Sequence, residues 1–296
     1  MNKSFKNRAA AKQKKFIEDR NIKFEEHCIL YDKDALQYQL VNWPGLLDEV
    51  KKNMTIINKK KKIKMVFKNM LRSEHIPYNF FIPLKLNSNQ EEVLTFFKEI
   101  LDRTDLLKVT KFEIEWSPKN NKDTLNDKTS FDVYLQFSLV NKKVLGLGIE
   151  VKFTEQSYPY KKTEELRLKS KDETISSYYK IWNNKQISIY EYNTYDKLGR
   201  KEYKQFFRNH LLGLSMINNS NAQIKIDEFI SMHLFPEGNT YQSEKAQEYN
   251  QTIRADIKGY FKAITFENFI DKCNDLFKDK KHQEWLEYLK ERYIVK

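Results

Sequence analysis

Hydrophobic positions change period several times along the chain, and each change predicts an element. Residues 1–26 are basic and polar around Ala9, Ala10 and Ala11, with Phe16 and Ile17 as the first apolar pair, and predict a helical arm. Between Lys51 and Arg72, Val66, Phe67, Met70 and Leu71 follow helical spacing and leave the many lysines of that stretch on the wet side. Asn87 or Ser88 stands where it can cap a helix carrying Val93, Leu94, Phe97, Ile100 and Leu101. Alternation then replaces the helical period. Val109–Trp116 puts Phe112, Ile114 and Trp116 on one face and Lys111, Glu113 and Glu115 on the other, and Pro118 breaks the run. Phe131–Phe137 alternates with its odd positions apolar, and Val144–Thr154 is a third strand-like run, joined to the second as a hairpin through Asn141, Lys142 and Lys143. Helical patterning returns over Tyr203–Met216. Ile224–Leu234 predicts one more strand, ending before Pro236, and amphipathic helices follow at Phe266–Phe277 and Gln283–Tyr293. The order of helix, three strands, helix, strand and helices predicts an α/β fold, with a mixed central sheet flanked by helices on both faces.

Composition narrows what such a fold does. With 296 residues and 14% aromatics, including 20 Phe and 17 Tyr, the chain can bury a real core and is no disordered basic tail. No apolar run approaches the roughly 18 to 20 residues that span a bilayer, and Met1–Lys15 has no apolar signal core. A soluble, unsecreted, cytoplasmic protein without a membrane partner is expected. Cys28 and Cys273 form no C-x-x-C pair and the histidines lack zinc spacing, so neither a disulfide framework nor a zinc site is expected. The chain has no G-x-x-x-x-G-K-[ST], no G-x-G-x-x-G and no H-E-x-x-H, which removes nucleotide-driven translocation and zinc proteolysis from the candidates. A formal charge of +12 points to a polyanionic partner. Only nine of the 53 basic residues are Arg, so the excess is lysine; it concentrates in the acid-free stretch from Lys51 to Arg72, where Lys59, Lys60, Lys61 and Lys62 are the candidate phosphate contacts.

The sharpest chemistry lies on the second and third strands. Glu150 and Lys152, two apart on one strand, share a face while Val151 turns to the other; if the hairpin pairs as predicted, Asp132 lies beside them. Two carboxylates at a strand edge make a hard-oxygen site for Mg²⁺, to which the Val151 carbonyl can add, and the Lys152 ammonium can orient or help deprotonate a metal-bound water. These are the parts that phosphodiester hydrolysis needs. On the following helix Gln205, Arg208 and Asn209 fall at i, i+3 and i+4 and can converge on one partner. Gly146 and Gly148 lie inside the third strand and permit a close backbone approach near the metal.

Asp132 followed by Glu150-x-Lys152 on consecutive strands after a helix resembles the PD-(D/E)XK nuclease superfamily, the restriction-endonuclease-like fold. The wording is more similar still to a group of bacterial sequences assigned as restriction endonucleases, in Pro77–Leu84, Glu150–Glu155, Gln205–His210 and Arg292-Tyr293. That likeness runs from about residue 69 to the end and divides the chain into a basic helical arm or subdomain, 1–72, and a nuclease domain with C-terminal helices, 73–296. Phe131 stands where the superfamily's name has Pro. The resemblance implies a Mg²⁺-dependent endonuclease, with Mn²⁺ able to substitute, acting on double-stranded DNA as a Type II restriction or phage-defence enzyme. It further implies a homodimer and allows a cognate methyltransferase. Asp132, Glu150 and Val151 would hold the metal, Lys152 would serve the attacking water, and Arg208 and Asn209 would meet nucleic acid, with Gln205 orienting water or Lys152. A third carboxylate is implied at Glu115, with Glu113 and Glu74 as alternatives. The rivals are a repair, recombination or RNA-directed nuclease with the same site, and a DNA-binding protein without turnover.

Overall fold

The protein is described here from a computed structural model, over residues 4–56, 67–119, 122, 124–157, 159–217 and 219–295. In chain order its main elements are α1 (Phe5–Glu18), α2 (Asp32–Gln39), α3 (Leu46–Ile56), α4 (Ile76–Lys85), α5 (Gln90–Leu101), β1 (Leu106–Trp116), β2 (Phe131–Leu139) and β3 (Val144–Val151). Then come α6 (Lys162–Lys169), α7 (Ser177–Asn183), α8 (Tyr195–Leu198), α9 (Lys204–Leu214), β4 (Glu228–Phe235), α10 (Thr240–Asn250), β5 (Phe261–Thr265), α11 (Phe266–Leu276) and α12 (Lys280–Tyr293). The five long strands form one sheet in sequence order, antiparallel from β1 to β3 and parallel from β3 to β5. The expected hairpin is present: Asn141 Oδ1 accepts the Lys143 N–H at 3.0 Å, and Lys142 takes the left-handed φ of 66° that the tight connection requires.

Both faces of the sheet are covered, which is why β3 is buried from Leu145 to Val151. One face, with Val133, Leu135, Phe137, Leu147, Ile149 and Val151, packs against helices from the two ends of the chain. The other packs against the segment between β3 and β5, where α9 supplies Phe207 and Leu211. Here α9 lies almost on the sheet: a Cβ on Gly213 would sit 2.1 Å from the Phe229 ring. The glycines of β3 serve the same packing, since a Cβ on Gly148 would lie 2.4 Å from Phe131 and 2.8 Å from Phe229. The close approach there is by aromatic rings rather than by backbone.

Trp116 departs from the predicted face. It stacks on Tyr134 with ring centroids 4.1 Å apart, on the opposite side of the sheet from Ile114. Glu115 between them has φ of 54°, and a left-handed residue inside a strand shifts the alternation by one. The N-terminal segment also differs from the arm the sequence predicts. Ala9, Gln13, Phe16 and Ile17 make a buried stripe at i, i+4, i+7 and i+8 of α1. Gln13 donates to the Arg292 carbonyl at 2.5 Å and accepts from Arg292 Nε at 2.9 Å, so α1 is sealed onto α12 and shares its core. Phe67, Met70 and Leu71 are buried as predicted by their spacing, but Met70 and Leu71 sit in a turn rather than a helix. Lys59, Lys60, Lys61 and Lys62 lie outside the described residues.

Candidate active site

The carboxylates meet where β2 and β3 part. The ladder between these strands begins at Val133↔Ile149; one residue earlier, Asp132 Oδ2 accepts the Val151 N–H at 2.7 Å, so a side chain takes a donor that a partner strand would otherwise use. On its far side β3 stays paired with β4: Glu150 lies opposite His233, and the Lys152 N–H donates to the Leu234 carbonyl at 2.9 Å. The end of β3 is thus fixed from both sides.

Glu150 and Lys152 are each only 5% exposed. Glu150 Oε1 accepts from Lys152 Nζ and, at 2.9 Å, from Gln205 Nε2, while Oε2 accepts from Asn209 Nδ2. Gln205 and Asn209 are one helical turn apart on α9, which lets both amides reach one carboxylate. Burial pushes the Asp132 carboxyl well above its ordinary pKa, and the charges of Glu150 and Glu115 push the same way. Burial also works against ionised Glu150, but the Lys152 ammonium and the hydrogen bonds from Lys152 and Asn209 outweigh it and leave Glu150 below its ordinary value. Burial opposes the Lys152 ammonium in turn, yet Glu150 and Asp132 overcome that and hold its pKa above the ordinary value. The site holds one settled ion pair, and at Asp132 burial and the neighbouring carboxylates outweigh the charge of Lys152.

A family model of the PD-(D/E)XK nuclease superfamily matches residues 2–295. The chain belongs to this superfamily. The match takes in the N-terminal segment, which is consistent with α1 sharing the core. No curated protein and no solved structure gives a significant match.

PD-(D/E)XK nucleases typically use divalent metal ions, and the donor chemistry here fits one. Asp132 Oδ1 makes no hydrogen bond among the described residues, Oε2 of Glu150 accepts only one, and a carboxylate oxygen has two acceptor positions. A cation between these groups would also relieve the crowding of negative charge that raises the Asp132 pKa. No group of three or more His, Cys, Asp or Glu is disposed around a metal among the described residues. In general a hard divalent ion can be held by one or two carboxylates, with water in its other positions.

The other expected residues are distributed unevenly. Glu115 acts electrostatically on Asp132 and, with it, on the buried Tyr78 hydroxyl, whose pKa is raised first by burial and then by these two charges. Glu113 is 3.6 Å from Lys85 Nζ, and Glu74 is paired with Arg72. Arg208 does not join Gln205 and Asn209 at Glu150: it bridges Asp127 at 2.9 Å and Glu164 at 3.0 Å. His210 is buried against the Tyr249 hydroxyl at 3.0 Å, and Glu155 caps the chain by accepting from the Ser73 and Phe153 N–H groups.

Sequence reasoning passed over a clamp behind the site. Asn239 Nδ2 donates to the Phe153 carbonyl at 2.8 Å, and Gln242 Nε2 to the Glu155 and Gln156 carbonyls at 2.8 and 3.1 Å. Gln242 Oε1 faces His233 Nε2 at 2.9 Å. The signal was an Asn-x-x-Gln capping pattern just after Pro236, but its partners lie some 86 residues upstream and no local pattern names them.

Proposed function

We propose that the protein is a Mg²⁺-dependent DNA endonuclease, of the Type II restriction or phage-defence kind, and that Asp132, Glu150 and Lys152 carry its chemistry. The observation that carries this reading is the junction itself, where Asp132 on one strand meets Glu150-Val151-Lys152 on the next at the open end of a hairpin. Membership of a nuclease superfamily supports a nucleic-acid substrate, and the surplus of +12 supports a polyanion. Asp132, Glu150 and the Val151 carbonyl would hold the ion, which supplies charge to polarise the phosphoryl oxygen and to acidify a water. Lys152 orients the attacking water and offsets the negative charge that develops on the phosphoryl group. Gln205 and Asn209 act on Glu150, fixing its carboxylate before substrate arrives. Cutting both strands of a duplex calls for two such sites, hence a homodimer. A cognate methyltransferase and a cytoplasmic setting belong to the same reading; among the described residues no helix is long and apolar enough to cross a membrane.

The test is incubation with plasmid and phage DNA, with and without Mg²⁺, beside Asp132→Ala and Lys152→Ala. Metal-dependent cutting by the parent alone is expected. Equal cutting by the variants would remove these residues from the site, and cutting of RNA or single strands only would move the substrate assignment.

A further inference from the structure

Helix α9 has a second polar flank, one residue from Asn209. The Arg208 guanidinium donates to Asp127 Oδ2 from Nε (3.1 Å) and Nη2 (2.9 Å) and to Glu164 Oε1 from Nη1 (3.0 Å). Both acids are further satisfied: Asp127 accepts from the Tyr178 hydroxyl at 2.6 Å and the Thr129 N–H at 2.7 Å, and Glu164 from Lys204 Nζ at 2.8 Å and the Lys161 N–H at 3.0 Å. Around this network opens a cavity of about 550 Å³, whose rim includes Lys128, Lys161, Thr163 and Arg167. The acids are consumed by partners while the rim cations are not. Lys128 and Lys161 are exposed, and neither ammonium has an ion-pair partner among the described residues; Arg167 spends one N–H on the Asn126 carbonyl at 2.7 Å. With Arg208 and Lys204 balancing Asp127 and Glu164, the rim keeps an excess of positive charge around a concave surface, which concentrates anions.

The position is as informative as the charge. Gln205 and Asn209 reach Glu150 from one flank of α9, and Arg208 reaches the cavity from the next. A helix with its side chains is about 10–12 Å across, so the cleft lies within about one helix diameter of the candidate carboxylates. A duplex rises about 3.4 Å per nucleotide along its axis, and the strand's path round that axis is longer, so that span corresponds to about two or three nucleotides.

We propose that this cleft seats a phosphodiester of the bound strand, about two or three nucleotides from the one that is cut. Lys128, Lys161 and Arg167 are its ligands, and the Arg208 network is a rigid floor that keeps them apart. The inference rests on the nuclease reading above, and its test is a binding measurement that needs no turnover. A fluorescent duplex is titrated in EDTA across a KCl series with the parent and with the double variant Lys128→Gln/Lys161→Gln, whose fold is checked by circular dichroism. Each lost phosphate contact lowers the slope of log K against log salt by about 0.9, so the double variant, which strips two of three ligands from a single phosphodiester, is expected to lose up to about 0.9. Neutral methylphosphonates placed singly along the strand should weaken the parent at positions about two or three from the cut and leave the double variant indifferent there. An unchanged slope, or equal sensitivity of both proteins at those positions, overturns the cleft while leaving the nuclease reading standing. Thermal protection of the parent by inorganic phosphate or a mononucleotide, absent from the variant, with an unchanged duplex slope, would mean a small-anion site and overturns the strand assignment. A parent that neither binds nor cuts nucleic acid removes the nuclease reading itself, and the cleft with it.

Discussion

Replacing Lys152 by Met tests the electrostatics of the site independently of catalysis. Both Lys152 and Glu150 are 5% exposed, and the ammonium is the main favourable charge holding Glu150 ionised. Removing one member of a buried pair leaves the other charge stranded and costs about 3–5 kcal/mol. At roughly 2–4 °C per kcal/mol for a chain of this size, the melting temperature in EDTA should fall by about 6–20 °C. The loss should depend on pH in a defined direction. Without the ammonium, burial dominates and the Glu150 carboxyl rises above its ordinary 4.5. A group whose folded pKa is raised contributes stability only while protonated, so the deficit should be small near pH 4.5 and grow as pH rises. The double variant Glu150→Gln/Lys152→Met, with no stranded charge, should recover most of the loss, because an apolar or neutral replacement of a buried pair is close to neutral. Scanning calorimetry of the parent, both single variants and the double variant closes the cycle. A single Lys152→Met as stable as the parent, or a double variant no better than the single, would refute the stranded-charge argument.

Three further outcomes follow from the geometry. Gln205→Ala and Asn209→Ala each remove a hydrogen bond to the Glu150 carboxylate and should each cost about 1.5–3 kcal/mol in urea unfolding, while any Mg²⁺-dependent cutting falls; unchanged cutting in both would show that Glu150 needs no such support. Gly213→Ala forces a methyl group to within 2.1 Å of the Phe229 ring and should destabilise by about 1–3 kcal/mol, with partial rescue by Phe229→Leu; a neutral Gly213→Ala would mean that α9 does not lie so close to the sheet. Burial lowers His210 from 6.5 to about 3, so below pH 6.5 the unfolded chain takes a proton that the native state refuses. Stability should therefore fall by about 1.4 kcal/mol per pH unit from this residue as pH drops through 6.5 toward 3; the urea midpoint of the parent should fall relative to that of His210→Phe over this range, and parallel curves would contradict the assignment.

The three central strands and the pairing of Asp132 with Glu150-x-Lys152 were legible because alternation with a fixed period determines which side chains share a face. The period failed at two places: the left-handed Glu115 sends Trp116 to the opposite face, which nothing in the identity of a glutamate announces, and Phe131 packs with Tyr134 and Phe229 rather than with Val133. The expected convergence of Arg208 with Gln205 and Asn209 fails for a different reason. The spacing of Arg208 from Gln205 is right for convergence, but Asp127 and Glu164, 81 and 44 residues away, claim its guanidinium first. The N-terminal helix was underrated because its buried stripe runs through a polar residue, Gln13, whose amide finds its partner only at the other end of the chain.

That partnership sets a clock on synthesis. Gln13 leaves the ribosome 279 positions ahead of Arg292. At about 5–20 residues per second, α1 waits roughly 15 to 55 seconds for the helix that covers it. During that interval the buried stripe of α1 has no α12 to lie against. The candidate site residues, from Glu115 to Asn209, are therefore all made before the N-terminal helix finds its cover.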